Sequence, residues 1–365
     1  MLKTVVLQGT AHEMGLQAGR AFKAAKAAEA SRWARWPAEP DRQAQYRRLI
    51  AQSLAYLRRE LPAVVDELQG IAEGAGMTLE DAYMFNAANS VGPALPYAGC
   101  TSLAFTHSDV GPILGKTDDG GHPTDAEAAL RHRLESAVVT TVRPTEGYAL
   151  MGVAPLGALW AECGINEKGL CVGTSSGHPQ KSRADGEGIP QHMIPRLILR
   201  YCANVQEAIA FCAGHDTFGK GLNIVVVDRE GEAAALEQTF TVHGVRRPAN
   251  GVVFSTNHYW APETQVFGAQ ADPDYITTPY FQNSLNRAAN LTRRFGSPEV
   301  TLTLAELKSA LMDHHNPGAV CQHPDNNEAG WQTYFGAYVV AQRGEMWINE
   351  GFPCRDRFER YSLIG

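Results

Sequence analysis

Gly99-Cys100-Thr101-Ser102-Leu103-Ala104-Phe105-Thr106, together with Pro112-Ile113-Leu114-Gly115-Lys116-Thr117-Asp118-Asp119, is the stretch that decides the fold. Residues 102–106 and 112–116 are short strand-like runs on either side of the turn-prone Asp109-Val110-Gly111, and they read as an antiparallel hairpin. In such a hairpin the end of the second strand returns beside the start of the first. Asp118 or Asp119 should therefore come within reach of Cys100. Taken alone, however, Asp118-Asp119-Gly120-Gly121 has the composition of a solvated turn.

Upstream, residues 11–90 read as helical after a short first strand, with apolar residues at helical spacing such as Leu49, Ile50, Leu54 and Leu57. Pro37 and Pro40 interrupt the first helical segment, Pro62 suits a first helical turn, and Thr78 reads as an N-cap. Residues 91–99 are loop-like. Downstream, strands are expected at 137–142, 147–153, 157–165, 169–174, 222–227, 233–242 and 251–256, with two more over 334–349. Helices are expected at 190–212, 280–294 and 303–312. Helix blocks and antiparallel strand blocks in separate runs predict α+β layering, not the strict alternation of a doubly wound parallel sheet.

The chain has 365 residues, of which 44% are hydrophobic and 19% charged, a mixture that builds a core. Lysine and arginine number 32 against 39 acidic residues, a net charge of -7. No basic excess is available to follow a phosphate backbone, so no nucleic-acid partner is expected. Residues 1–9 are too short and polar for a signal peptide, and no apolar run approaches the length of a membrane span. A cytoplasmic protein with no membrane partner is the expectation. The seven cysteines, Cys100, Cys163, Cys171, Cys202, Cys212, Cys321 and Cys354, are odd in number and contain no C-x-x-C pair, so reduced thiols are expected.

Cys100 stands at the junction of loop and strand, directly after a glycine. A cysteine so placed can become an N-terminal nucleophile if its thiol attacks the preceding carbonyl and the resulting thioester hydrolyses. Gly99, lacking Cβ, tolerates strained backbone and leaves its carbonyl open. The freed α-amine, with an ordinary pKa of ~7.7–8.0, can then serve as base for its own thiol. A carboxylate at Asp118 or Asp119 can hold that amine and steer its protons. Asn257 follows the apolar strand 251–254 and can direct its amide N–H groups at an oxyanion. His258 reads as a structural neighbour bonding a nearby carbonyl. Trp160 and Tyr148 lie on expected strands and suit either an apolar acyl pocket or the core. Residues 184–188, Ala-Asp-Gly-Glu-Gly, read as a loop or flap. Asp313-His314-His315-Asn316 and Cys321-Gln322-His323 match no familiar structural zinc spacing, so a helix end with a loop is expected and no metal.

Several motifs, in order along the chain, resemble the acyl-coenzyme A:6-aminopenicillanic acid acyltransferase family, also classed as C45 peptidases. They are Gly9-Thr10-Ala11-His12-Glu13-Met14-Gly15, Glu67-Leu68-Gln69-Gly70-Ile71-Ala72-Glu73-Gly74-Ala75-Gly76, Gly99-Cys100-Thr101-Ser102, Gly164-Ile165-Asn166-Glu167-Lys168-Gly169-Leu170, Thr256-Asn257-His258 and Asn349-Glu350-Gly351-Phe352-Pro353-Cys354. The resemblance implies an N-terminal-nucleophile hydrolase fold, a four-layer αββα sandwich formed by residues 1–365 as one domain. It implies self-cleavage at Gly99–Cys100 into a small chain, 1–99, and a catalytic chain, 100–365, which stay together as a heterodimer. By the same resemblance Cys100 is the nucleophile, Asp118 orients its amine and Asn257 forms the oxyanion hole. The implied reaction is hydrolysis or acyl transfer on a small-molecule amide, without metal or cofactor, with a coenzyme A thioester as a conceivable co-substrate. Lys116-Thr117-Asp118 also resembles the Arg-Thr-x-Asp stretch of choloylglycine and penicillin V amidases, which makes Lys116 a supporting cation for the thiolate. The chain departs from the family where relatives carry Asn-Trp-Asp in place of Lys116-Thr117-Asp118, and Ser-Ile-Cys-Arg in place of Ala319-Val320-Cys321-Gln322. Two rival readings are an unprocessed, non-catalytic binding member of the fold and a metal-dependent amidohydrolase using His314, His315 and His323.

Overall fold

The computed structural model describes residues 2–25, 36–91, 98–121, 137–177, 186–219, 221–268 and 272–363. Strand β1 (Lys3–Gly9) leads into α1 (Ala11–Ala24), where Thr10 and Glu13 close a reciprocal capping box. Among the described residues three helices follow: α2 (Pro40–Glu60), α3 (Pro62–Ala75) and α4 (Leu79–Val91). Pro62 begins α3, Gly76 ends it in the left-handed conformation, and Thr78 accepts from the Asp81 amide at 3.1 Å at the head of α4. Most of the loop expected over 91–99 lies outside the described residues, as do Ala184 and Asp185 of the expected flap. Gly186 and Gly188 are bonded to Gln52 and Ser53 of α2.

The hairpin forms as β2 (Ala98–Phe105) and β3 (Ile113–Gly120). Both strands are longer than the sequence suggests, and Asp118 and Asp119 are buried strand residues, not a solvated turn. The strands β4 (Ala137–Pro144), β5 (Leu150–Pro155), β6 (Cys163–Asn166) and β7 (Cys171–Ser176) come next. The strand expected from 157 begins only at Cys163, because Gly157 turns with positive φ. A small parallel pair, β8 (Ile189–Pro190) and β9 (Thr217–Phe218), brackets α5 (Ile194–Tyr201) and α6 (Val205–Gly214). The single helix expected over 190–212 is broken at Cys202, and Asn204 caps the second piece. Then follow β10 (Leu222–Val227), β11 (Ala233–Gln238), β12 (His243–Arg246), β13 (Val252–Ser255), the short α7 (Pro262–Gln265), α8 (Pro279–Phe295) and α9 (Leu304–Met312). The chain closes with β14 (Gln332–Val340), β15 (Glu345–Glu350) and β16 (Glu359–Ser362).

These strands build an eight-stranded sheet, β1-β4-β5-β6-β7-β10-β11-β12, and a six-stranded sheet, β13-β2-β3-β14-β15-β16. Only the β1–β4 pair in the first is parallel. Alternation along the strands sorts side chains into three cores. Ala104, Leu114, Val139, Cys171, Val225 and Val339 meet between the sheets. Leu150, Val172, Ile224 and Leu236 face α1 to α6 on the outer side of the larger sheet. Leu103, Phe105, Ile113 and Val340 face α8 and α9 on the outer side of the smaller. The result is the four-layer αββα sandwich.

Candidate active site

Alternation on β2 places Cys100, Ser102 and Ala104 on the face between the sheets, while Thr101, Leu103 and Phe105 face α8 and α9. Ser102 confirms the orientation by donating to the Thr174 carbonyl of β7 at 3.0 Å. Cys100 pairs in register with Asp118 on β3, and its thiol lies 3.6 Å from Asp118 Oδ1. The same two-residue period that puts Asp118 beside the thiol turns Asp119 to the opposite face. There Asp119 accepts from Thr333 at 2.7 Å and from Thr117 at 3.2 Å. Of the two carboxylates that a hairpin alone leaves open, the register assigns Asp118 to Cys100.

The backbone of Cys100 is held from the helical side. Its amide donates to Asn257 Oδ1 at 3.0 Å, and its carbonyl accepts from Arg287 Nη1 at 2.5 Å. Arg287 also donates to Thr101 Oγ1 at 2.9 Å, to Asn257 Oδ1 at 2.6 Å and, through Nε, to Asn283 at 2.9 Å. Because guanidinium is donor-only, it fixes the orientation of the Asn257 amide: the oxygen faces Cys100 and Arg287. The Asn257 nitrogen then donates to the Ser176 carbonyl at 3.2 Å, leaving its second N–H for another acceptor. Asn283, Ser284 and Arg287 occupy one stripe of α8 at i, i+1 and i+4. Ser284 completes the support by accepting from the Asn257 backbone at 2.8 Å.

The electrostatics are those of a dry site. Burial pushes the Cys100 thiol up to about 12, partly opposed by Lys116 and reinforced by Asp118 and Glu162. Lys116 is fully buried on the same face, with Nζ donating to the Thr174 carbonyl. Burial works against its charge, yet Cys100, Asp118 and Glu162 raise its pKa overall. In the intact chain the thiol is therefore protonated at neutral pH, and a base is required to activate it. On the opposite face, burial lifts Asp119 to about 7 against the attraction of Arg287.

His258 lies behind Asn257, with Nδ1 2.8 Å from Ser284 Oγ and its ring stacked on Trp260. Burial, then Arg287 and Arg246, depress it to about 3, so it is a neutral hydrogen-bonding ring. Thr117 is on the Asp119 face. Trp160 sits apart from this group: Nε1 donates to the Asn86 carbonyl of α4 at 3.0 Å, and the ring stacks on His192. Gly99 is extended, not strained. Its need for glycine is steric, since a Cβ there would stand 2.3 Å from Trp331 Cε3. His314 and His315 are exposed, on a segment past α9. Arg287 and Trp331 carried no sequence signal of their own; the Asn283-x-x-x-Arg287 spacing on an apolar-faced helix is the nearest thing to one.

Residues 108–329 match the family model described as acyl-coenzyme A:6-aminopenicillanic acid acyl-transferase. The matched span holds Asp118, Asn257 and Arg287 and begins just after Cys100. No curated protein matches the chain. Among solved structures, a mutant of conjugated bile acid hydrolase from Clostridium perfringens aligns with 14% identity and a TM-score of 0.47, covering 73% of this chain and 94% of that one. Penicillin V acylase from Agrobacterium tumefaciens aligns with 13% identity and a TM-score of 0.41, covering 69% and 83%. The Caenorhabditis elegans ortholog of N-acylethanolamine-hydrolyzing acid amidase gives 14% and 0.41, covering 66% and 93%.

Proposed function

Since this chain belongs to the acyl-coenzyme A:6-aminopenicillanic acid acyl-transferase family, we propose that it is an amide hydrolase or acyltransferase whose nucleophile is Cys100, released by self-cleavage at Gly99–Cys100. The observation that carries this reading is the convergence on one residue. The thiol of Cys100 meets Asp118, while its amide and carbonyl are gripped by Asn257 and Arg287. A buried cysteine of the core needs neither an arginine on its carbonyl nor an asparagine on its amide.

In the first step the Cys100 sulfur attacks the Gly99 carbonyl carbon, and the C–N bond breaks. The departing nitrogen takes up the proton that the thiol gives up, by way of Asp118. Water then hydrolyses the Gly99 thioester, leaving a carboxylate on Gly99 and a free α-amine on Cys100. That amine inherits the hydrogen bond to Asn257 Oδ1, which orients its lone pair, while the nearby positive charges of Lys116 and Arg287 favour its neutral, basic form. In turnover the amine takes the thiol proton as sulfur attacks the substrate amide, and passes it to the leaving amine. The second N–H of Asn257 can stabilise the oxyanion. Lys116 supplies the positive charge that a thiolate needs in this dry setting. Water, or an acceptor amine, finally takes the acyl group from sulfur; a coenzyme A thioester would enter the same site as an acyl donor.

The test is amine release from a panel of N-acyl amines, N-acyl amino acids and β-lactam amides, with the acyl-enzyme trapped by rapid acid quench. Turnover with an acyl mass adduct on the peptide beginning at Cys100, absent in Cys100→Ala, supports the proposal. Turnover unaffected by Cys100→Ala, or turnover that proceeds with the Cys100 thiol never acylated, overturns it.

A further inference from the structure

Cys321, His323 and Cys354 form a cluster outside the nucleophile group, with their three ligand atoms within 4.8 Å of one another. Cys321 and His323 lie in the segment between α9 and β14. Cys354 lies in a short turn after β15 and joins them only because β14 and β15 pair as a hairpin. His323 Nε2 is 3.6 Å from Cys321 Sγ and 3.4 Å from Cys354 Sγ. With zinc–sulfur bonds of ~2.3 Å and zinc–nitrogen bonds of ~2.0–2.1 Å, the sulfur-to-nitrogen edge of a tetrahedral site is about 3.6 Å. Both observed edges are close to that length. We propose that Cys321, His323 and Cys354 bind a zinc-class divalent ion, with a fourth position open to water.

The surroundings fit a metal ligand set. The His323 ring is stacked on Phe352 at 3.9 Å, which holds Nε2 toward the two sulfurs. Cys321 is fixed by its backbone, since its amide and that of Val320 both donate to the Asp313 carbonyl at 2.8 Å. On binding, two thiols become thiolates and release two protons to solvent. A doubly charged cation with two thiolates and one imidazole is then neutral, which suits a partly buried site. Thiolate and imidazole ligands select zinc over hard cations such as magnesium or calcium.

The ion would clamp the turn after β15 to the segment carrying Gln322. Gln322 bonds Asn283 at 3.1 Å, and Asn283 in turn holds Arg287. The site is thus a positioning device behind the nucleophile and takes no part in bond-making. It differs from the expectation of no metal, which rests on spacing along the chain; the three ligands converge only in the fold.

The experiment loads the reduced, metal-free purified protein with cobalt(II) and reads the spectrum, and measures zinc by mass spectrometry after gel filtration of a parallel sample loaded with zinc. The expected result is roughly one equivalent per chain, with thiolate-to-cobalt charge-transfer bands in the near ultraviolet and tetrahedral visible bands. Both signals should be lost in Cys354→Ser and in His323→Gln, with far-ultraviolet circular dichroism confirming that at least one variant is folded. A melting temperature lowered by chelator in the wild type only would agree. No thiolate band in the wild type, an undiminished band in both variants, or a Cys321–Cys354 disulfide as the isolated form would overturn the proposal.

Discussion

Asp118 and Asp119 are neighbours in sequence and opposites in role, because successive strand residues face opposite ways. Asp118 shares the Cys100 face, so Asp118→Asn should slow both chain cleavage and amide turnover, by about 10²-fold for the loss of a proton-steering carboxylate. Timed gel analysis of cleavage and steady-state kinetics measure the two rates. Arg287→Lys should lower kcat about 10²-fold with a smaller change in KM, because a lysine cannot span the Cys100 carbonyl, Thr101 and Asn257 together. Asp119 gives a pH signature. Its pKa rises from 3.8 to about 7 on folding, so between those values the folded state binds more protons than the unfolded. Stability contributed by this group is therefore lost as pH rises through that window. Denaturant midpoints for the wild type minus those for Asp119→Asn should fall between pH 4 and 7; a flat difference would refute the buried-carboxyl assignment.

At the scale of elements, α1 crosses α3 in close backbone contact. Gly15 and Gly19 on α1 meet Gly70 and Gly74 on α3 so tightly that a Cβ on Gly70 would stand 2.2 Å from the His12 carbonyl oxygen. Most of these glycines lie in two of the segments that carry the family resemblance, and their purpose is backbone contact. Gly70→Ala should destabilise the protein by about 1–3 kcal/mol through overpacking, read from denaturant unfolding. Beside them Glu67 is buried between Arg196 and Arg200, bonded at 2.5 Å and 3.1 Å. Glu67→Ala, which leaves two guanidinium groups unpaired, should cost about 3–5 kcal/mol in the same measurement. The family motifs at residues 9–15 and 67–76 thus describe a scaffold, whereas those around 99–102 and 256–258 hold the residues proposed for the chemistry.

Across the whole molecule, what could be read in advance was local. The hairpin that brings Asp118 to Cys100 and the helix-then-strand ordering follow from periodicity and turn residues over short windows. The acidic pair was harder: its composition favours a turn, and only the partners in the fold, Thr333, Thr117 and Arg287 around Asp119 and Cys100 and Lys116 beside Asp118, explain why it stays in a buried strand. Arg287 and Trp331 were illegible because they reach the Cys100 segment from 187 and 232 residues away in sequence, and nothing in a helix stripe or a lone tryptophan names its target. Cys354 was invisible as a partner of His323 for the same reason. Among the described residues no helix is long and apolar enough to cross a membrane.

The central claim is that Cys100 makes itself an N-terminus, and the most direct measurement is intact mass with N-terminal sequencing of the denatured, purified protein and of Cys100→Ala. Two wild-type chains of ~11 and ~29 kDa are expected, at roughly 110 Da per residue, the larger beginning at Cys100, and one uncut chain for the variant. A wild-type protein that remains a single 39.6 kDa species after long incubation, or a variant cut at the same bond, would contradict it.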